Sequence, residues 1–332
     1  MVPSSRIVTL SFIVLVLLGI TACVPAPTPT SPPLAPTTVL SAAPGATVTS
    51  APAATPRPKV KVTATTTQVT ALAKVVGGDK IALTGILQAN VDAHEYEPRP
   101  DDVKAFAGAQ VIFINGVGLE KWLDKVVQNS GTKALVVDTS SGVPIRKEKN
   151  ENGVEEADPH IWHSAPNAII MLNNIRDGLS KVDPPDADTY KANAAAYERK
   201  LNDLDAYIKA QIATIPAANR KIVSNHDSFG YYVERYGLTF VGSIIPSMDT
   251  NFQPSAKELA DLVTAIKALK VKVIFTESSI NPNLARQIAQ EAGVKVVDGA
   301  LYGDALGPPG SGADTLNGML KANTDLIVAN LR

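Results

Sequence analysis

The sequence predicts an α/β protein with two lobes, each a parallel sheet flanked by helices, joined by one long interlobe helix. Three observations predict this fold. From residue 59 onward, short β-branched runs alternate with amphipathic stretches, which is typical of a parallel sheet covered on both faces. The alternation restarts after residue 220. Between the two patterned regions, apolar residues recur every three or four positions over 186–215, as expected of one continuous helix.

The composition excludes several classes of protein. The chain has 332 residues, of which 45% are hydrophobic and 19% charged, so it can bury the cores of two lobes. Lys and Arg total 31 against 32 for Asp and Glu, which leaves no basic excess for a phosphate backbone, and we expect no nucleic-acid partner. Cys23 is the only cysteine, so an internal disulfide is excluded and any metal site must use His, Asp or Glu.

Residues 1–22 have the composition of a signal peptide. Arg6 precedes an apolar run over 7–20, which is shorter than the ~20 residues of a membrane-spanning helix. The run ends in Ile20-Thr21-Ala22-Cys23, which resembles the lipobox of bacterial lipoproteins. The resemblance implies that Cys23 carries lipid, and the alternative is an ordinary secretory signal with an incidental cysteine. Residues 23–58 hold ten of the 24 prolines and one charge, which predicts a disordered tether on this lipid anchor.

The elements of the folded body follow in order. The first lobe, residues 59–185, is predicted to have strands at 60–62, 81–83, 111–114 and 135–137 and helices at 68–76, 101–107 and 119–128. The linking helix covers 186–215 and would run about 45 Å. The second lobe, residues 216–332, is predicted to have strands at 222–223, 240–241, 273–275 and 296–297 and helices at 255–269 and 282–292. Residues 139–157, of mixed charge, are expected to form a solvated loop.

The chain has four histidines, and three of them stand at expected ligand-binding positions. His94 follows the second predicted strand, and His226 directly follows the strand at 221–223. His160 ends the long loop before the last helix of the first lobe. Ligands of α/β sheets bind at the carboxyl ends of parallel strands, so we expect a site in the cleft between the lobes. His163 lies one turn after His160.

Several motifs extend this pattern, and together they resemble a known family. They are His94-Glu95-Tyr96-Glu97-Pro98, Asp158-Pro159-His160-Ile161-Trp162, His226-Asp227-Ser228-Phe229-Gly230-Tyr231, Glu277 after a strand, and Tyr302-Gly303-Asp304-Ala305-Leu306. In these motifs the chain resembles the metal-binding lipoproteins of bacterial zinc and manganese ABC importers, the cluster A-I solute-binding family, over residues 59–332. The resemblance implies that His94, His160, His226 and Asp304 bind a metal ion.

The same resemblance implies the biological setting. The protein would be a monomer, extracytoplasmic and lipid-anchored to the bacterial cell membrane, and would deliver its ion to an ABC-type metal permease without acting as an enzyme. Three imidazoles and a carboxylate suit a borderline divalent ion, and nitrogen-rich sites favour zinc over manganese. Manganese-selective members often have glutamate at the position of His226. Zinc is therefore predicted, with manganese as the alternative.

The chain departs from the family pattern at three places. Ala93 replaces a usual proline, His163 replaces a usual apolar residue, and residues 139–157 lack the histidines found there in many zinc members. We do not include His163 among the ligands. Glu95, Asp158 and Asp227 adjoin the ligand motifs, and both a supporting role and a solvated position remain open for them.

The alternative functions are a zinc hydrolase and a surface adhesin. A zinc hydrolase would use His94 as ligand and Glu95 as base, but four protein ligands leave no open position for water and the sequence has no His-Glu-x-x-His motif. A surface adhesin ranks after the importer component because it would leave the cleft motifs without a role.

Overall fold

A four-stranded parallel sheet organises the first lobe. The structure is a computed structural model that describes residues 57–149 and 153–332. The sheet has the order β2-β1-β3-β4 and consists of β1 (Val60–Ala64), β2 (Ile81–Gly85), β3 (Val111–Ile114) and β4 (Leu135–Asp138). Helices α1 (Thr67–Gly77), α2 (Pro100–Gly108), α3 (Leu123–Ser130) and α4 (Ala165–Val182) accompany it. Val111, Ile112 and Phe113 are fully buried, as expected of a central strand covered on both faces.

Helix α3 begins four residues later than predicted. Residues 116–118 all have positive φ, and they form a turn that brings the side chain of Glu120 back toward it. The Glu120 carboxylate accepts the backbone N–H groups of Asn115 and Gly116 and the hydroxyl of Thr65. This buried cap keeps residues 119–122 out of the helix.

The prediction of a solvated loop at 139–157 was wrong about the loop, although most of the described residues there are exposed. This segment contains an antiparallel hairpin of β5 (Lys147–Lys149) and β6 (Glu155–Ala157). Both strands are short and mostly exposed, so they lack the apolar alternation by which a strand is recognised in sequence.

One long helix, α5 (Ala187–Ala213), joins the lobes as predicted, and a 3₁₀ turn over Pro184–Asp186 precedes it. At 1.5 Å per residue its 27 residues extend about 40 Å. Its buried positions, Tyr190, Ala194, Tyr197, Leu201, Leu204, Ile208 and Ile212, recur every three or four residues. They join a large core that reaches from the strands of the first lobe to the C-terminal helix α9 (Leu316–Leu331).

The second lobe has two parallel strand pairs. β7 (Lys221–His226) pairs with β8 (Thr239–Ile245), and β9 (Val273–Glu277) pairs with β10 (Lys295–Leu301). Side chains connect β7 to β9, because Glu277 N–H donates to the Asn225 side chain at 3.2 Å. His226 is the last residue of β7, which extends three residues beyond the predicted strand end at 223. The helices are α6 (Gly230–Tyr236), α7 (Ala256–Ala268) and α8 (Asn283–Ala292), together with α9.

The predicted signal peptide, Cys23 and the tether up to residue 56 lie outside the described residues. Arg57, which was assigned to the tether, pairs with Asp183 at 3.0 Å and with Asp186 at the start of the linking helix. Across residues 57–149 and 153–332, no helix has the length and apolarity that crossing a membrane requires.

Candidate metal centre

Four side chains from the two lobes converge in the cleft. His94, His160, His226 and Asp304 each offer one ligand atom, and these atoms lie within 4.8 Å of one another. His160 Nε2 lies 3.3 Å from His94 Nε2 and 3.4 Å from His226 Nε2. Asp304 Oδ1 lies 3.4 Å from His160 Nε2, and Asp304 Oδ2 lies 3.2 Å from His226 Nε2. The structure therefore brings together the four residues that the resemblance implied as ligands.

These four separations are close to those around a small four-coordinate ion, and His94 Nε2 lies somewhat farther from Asp304 Oδ2, at 3.7 Å. Tetrahedral zinc, with bonds of about 2.0–2.1 Å to nitrogen, holds its ligand atoms roughly 3.3–3.4 Å apart. Asp304 is 1% exposed, and within the described part of the chain neither of its carboxylate oxygens has a hydrogen-bond partner. A buried carboxylate is strongly unfavourable unless positive charge compensates it, so this donor set suits a divalent cation.

A carboxylate accepts the backbone N–H of each of the three histidines. The acceptor is Asp92 for His94 at 2.8 Å, Asp158 for His160 at 3.0 Å, and Glu277 for His226 at 3.0 Å. In the first lobe each acid stands two residues before its histidine, so the same Asp-x-His turn sets both ligands. In the second lobe Glu277 ends β9 and reaches His226 at the end of the adjacent β7.

Two of these carboxylates also orient the imidazole rings. His160 Nδ1 lies 2.8 Å from Asp158 Oδ1, and His226 Nδ1 lies 3.0 Å from Glu277 Oε1. When Nδ1 donates its proton to the acid, the lone pair of Nε2 faces the centre of the site, as in most metal-binding histidines. Asp158 is fully buried and Glu277 is 2% exposed.

The three histidines of the centre differ in pKa: it is lowered for His94 and raised for His160 and His226. Burial lowers the pKa of His94 to about 4, against the opposing charge of Asp304. Burial also acts to lower the pKa of His160, but its hydrogen bond to Asp158 and the carboxylate of Asp304 outweigh this and raise the pKa to about 9. His226 is likewise opposed by burial, yet the charges of Asp304 and Glu277 raise its pKa well above the ordinary value. The metal-free centre therefore holds protons at neutral pH.

Asp304 and Asp158 stay ionised beside these rings. Burial acts to raise the pKa of Asp304, but the positive charge of His226 and the contact with His160 hold it well below the usual range. Burial opposes ionisation of Asp158 too, and hydrogen bonds from His160 outweigh it, so the pKa of Asp158 is lowered.

His94 is the candidate ligand nearest the solvent. It is 8% exposed, whereas the other three ligands are at most 1% exposed. It lines a hollow of about 500 Å³ whose walls include Lys121, Asp249 and Phe252. The Lys121 ammonium pairs with Asp249, which joins the first lobe to the second at this mouth. An ion that enters through the hollow meets His94 first.

His163 lies outside the ligand cluster. It is fully buried, and its ring centroid lies 4.6 Å from that of Phe229 and 5.6 Å from that of Trp162. Neither of its ring nitrogens has a hydrogen-bond partner among the described residues. Burial lowers the pKa of His163 to about 3, so it packs as a neutral ring.

The three acids left open in the sequence have different positions. Asp158 supports His160, as described above. Glu95 is exposed and lines a separate surface hollow, so it is not placed as a base beside the centre. Asp227 is half-buried, and burial with the nearby charge of Glu148 raises its pKa to about 7.

Three residues support the candidate ligands although the sequence did not predict that role for them. Asp92 could have been found because the Asp-x-His spacing occurs twice, at Asp92 and at Asp158. Glu277 was noted as a family marker without a partner. Arg146 was assigned to a solvated loop, but its side chain is only 21% exposed and its guanidinium donates to Asp158. Glu277 and Arg146 meet their partners only in the fold, so no local sequence pattern shows the partner of either.

The comparisons with known proteins find relatives that are named for metal binding or metal uptake. Residues 62–330 match the family described as ZnuA, zinc-uptake complex component A, periplasmic. The chain is 33% identical over 256 residues to the manganese-binding lipoprotein MntA of Halalkalibacterium halodurans, covering 77% of this chain and 83% of the relative. It is 32% identical over 281 residues to the manganese ABC transporter substrate-binding lipoprotein PsaA of Streptococcus mitis, covering 82% and 89%. The periplasmic zinc-binding protein TroA of Treponema pallidum superposes with a TM-score of 0.77 at 28% identity, covering 82% and 99%.

Proposed function

Because the chain belongs to the family of the periplasmic zinc-uptake component ZnuA, we propose that it captures zinc outside the cytoplasm and delivers it to an ABC permease in the membrane. The observation that carries this proposal is the cluster of three Nε2 atoms and one carboxylate within 4.8 Å of one another, in a cleft closed to solvent except at His94. Members of this family are substrate-binding components of transporters rather than enzymes.

His94, His160, His226 and Asp304 are the proposed ligands, and they make a nearly closed shell. A catalytic zinc normally keeps one position for water or substrate. A shell of four protein ligands instead supports capture and release of the ion itself. The ion is therefore the cargo of the protein.

Zinc is preferred over manganese on the donor set. Nitrogen-rich four-coordinate sites bind zinc more tightly by the Irving–Williams order, whereas manganese selection depends on oxygen ligands or higher coordination numbers. The manganese alternative has support of its own, because MntA and PsaA are both named for manganese. In this chain His226 supplies nitrogen from the second lobe, which leaves Asp304 as the single oxygen donor.

We also propose that the protein is a monomer held on the outer face of the membrane by lipid on Cys23. The relatives MntA and PsaA are named lipoproteins, which supports an anchor for this chain. The Pro-rich tether would then let the folded body stand away from the bilayer and reach the permease.

Native mass spectrometry of the metal-stripped full chain tests the proposal. We expect one zinc ion per chain, displacement of bound manganese by equimolar zinc, and a larger rise in melting temperature with zinc than with manganese. Binding to the folded form adds about 4 kcal/mol of stability at a thousandfold excess over Kd. A larger rise in melting temperature with manganese than with zinc would show that manganese is the preferred ion. Absence of any bound ion would remove the importer function altogether.

A further inference from the structure

Arg146 contacts both lobes beside the metal centre. Its Nη1 atom donates to Asp158 Oδ2 at 2.6 Å, and its Nε atom donates to Glu234 Oε2, on α6 of the second lobe, at 3.0 Å. Its backbone N–H donates to the Tyr231 hydroxyl at 3.0 Å, and that hydroxyl donates to the Asp158 carbonyl oxygen at 3.0 Å. The residue and its partners therefore form one connected network across the lobes.

Asp158 is shared between Arg146 and His160. Its Oδ2 atom accepts from the guanidinium, while its Oδ1 atom accepts from both the backbone N–H and Nδ1 of His160. Both carboxylate oxygens are thus fixed, and the carboxylate has little freedom to rotate. The orientation of the His160 ring depends on that carboxylate, because nothing else described at the site contacts its Nδ1 atom.

Gly230 leaves the space that the guanidinium occupies. A Cβ atom at position 230 would lie 1.6 Å from Arg146 Nη1 and 2.8 Å from Asp158 Oδ2. Gly230 begins α6 and is not among the glycines with positive φ, so its backbone conformation does not require glycine. The guanidinium and its carboxylate partner therefore account for glycine at this position of the His226–Tyr231 motif.

We propose that Arg146 is a positioning residue for metal retention. Through Asp158 it holds the His160 ring toward the ion, and through Glu234 and Tyr231 it ties this support to the second lobe. The inference rests on the proposed function, since it concerns the ion held in the same centre. The segment at 139–157, which contains no histidine, would thus help to retain the bound ion through Arg146.

Charge alone predicts that loss of Arg146 would strengthen metal binding. Asp92, Asp158, Glu277 and Asp304 surround the centre with carboxylates, and Arg146 offsets part of this negative charge at Asp158. Removal of the guanidinium would make the surroundings more negative, which by Coulomb attraction alone would tighten the binding of a divalent cation. The positioning role predicts weaker metal binding instead. The direction of the change in affinity therefore distinguishes the positioning role from a purely electrostatic effect.

The positioning role acts on dissociation. The hollow that leads to His94 is lined by Lys121, Asp249 and Phe252, whereas Arg146 lines a different hollow with Tyr231 and Glu234. Arg146 is not among the residues that line the entry hollow, so we expect a change at Arg146 to affect the approach of the ion less than its release. The loss of a fixed ligand orientation would shorten the residence time of the bound ion.

The experiment measures zinc dissociation and association by stopped flow in the full chain, with a chelator in excess. Arg146→Met and, independently, Gly230→Ala are expected to speed dissociation at least tenfold and to change association less than threefold. Arg146→Lys keeps the charge but lacks the planar fork that reaches Asp158 and Glu234 together, so it should not restore the parent rate. In an Asp158→Asn background, Arg146→Met should change dissociation less than twofold.

Arg235→Met is the matched control. Arg235 lies on the same helix α6 and pairs with Asp205 of α5 at 3.0 and 2.7 Å, and none of its described hydrogen bonds reaches Asp158. The substitution therefore removes a comparable ion pair without changing the support of His160. It should keep the parent dissociation rate even if the metal-free melting temperature falls. Slower or unchanged dissociation in Arg146→Met and Gly230→Ala, or full rescue by lysine, overturns the positioning role while the importer function stands. A parent chain that binds no zinc overturns both.

Discussion

The indole Nε1 atom of Trp162 donates a hydrogen bond to the backbone carbonyl of Gly303 at 3.0 Å, from the first lobe to the second. Trp162 follows the proposed ligand His160 by two residues, and Gly303 directly precedes the proposed ligand Asp304. A second tie lies close by, where the Leu306 backbone N–H donates to the Thr67 hydroxyl at 2.9 Å. The loop that presents Asp304 is thus held by the first lobe on both sides.

Trp162→Phe should weaken zinc binding about three- to tenfold. The substitution removes the donor to Gly303 and keeps an aromatic ring, and a lost hydrogen bond of this kind contributes roughly 1 kcal/mol. Trp122→Phe is the control, because Trp122 is also buried but no partner for its Nε1 atom exists in the described residues. Competition titration with a chelator measures both variants. Equal affinity losses in the two would show that ring volume, not the tie between lobes, matters.

Gly303→Ala should weaken zinc binding at least tenfold. A Cβ atom there would lie 2.0 Å from Glu277 Oε2, so the carboxylate that orients His226 would have to move. In a Glu277→Ala background the same substitution should cost little. Gly108→Ala is the control, since nothing lies within 4 Å of its Cβ position and alanine favours the helix. If Gly303→Ala bound zinc with the affinity of the parent, Glu277 would not be the support of His226.

Most of the fold could be predicted because its elements have strong periodicity. The spacing of the apolar residues shows the alternation of strands and helices. In α5 these residues recur every three or four positions, which predicts the helix. The β5–β6 hairpin could not be recognised, since its exposed strands carry charges rather than alternating apolar residues. The start of α3 was misplaced because Glu120, a good helix former, is used instead as a buried cap of the preceding turn.

The candidate ligands could be named from sequence, whereas most of their supports could not. The ligand residues lie within recognisable motifs, but the partner of His226 comes 51 residues later in the chain. The contacts of Arg146 with Glu234 and Tyr231 likewise join separate lobes. Contacts of this kind depend on tertiary packing and have no local pattern.

His163→Leu should keep zinc affinity within about threefold of the parent and raise the melting temperature of the metal-free protein. The ring lies outside the ligand cluster, and each buried nitrogen without a partner costs roughly 1–3 kcal/mol. His160→Leu in the same series should abolish tight binding. A tenfold or larger loss of affinity in His163→Leu would mean that this ring contacts the ion.

Cys23→Ala should release the protein from the membrane fraction and leave zinc affinity unchanged, because all four proposed ligands lie beyond residue 90. The lipid-modified parent should be heavier than its polypeptide mass. Fractionation, mass spectrometry and a zinc titration of both proteins measure this. Continued membrane retention of Cys23→Ala, with a mass that differs only by the substitution, would contradict lipid attachment at this residue.

The last prediction is that zinc binding releases close to two protons at pH 7.5. The pKa of His160 is about 9 and that of His226 is well above 6.5, so both rings are protonated in the metal-free centre, whereas His94 is already neutral. Zinc needs the Nε2 lone pairs and must displace these protons. Affinity should therefore rise up to about a hundredfold per pH unit between pH 6.5 and 8.5.

The stability of the metal-free protein should change in the opposite direction. A pKa raised in the folded state contributes stability that is fully present below the unfolded value of about 6.5 and is lost as the pH rises toward 9. The metal-free melting temperature should consequently fall over this range while the shift caused by zinc grows. Calorimetric titrations in buffers of different ionisation enthalpy count the protons, and differential scanning calorimetry follows both forms. Imidazoles with ordinary pKa values would release almost no protons at pH 7.5, and an affinity that is flat above pH 7 would show that His160 and His226 are neutral before the ion arrives.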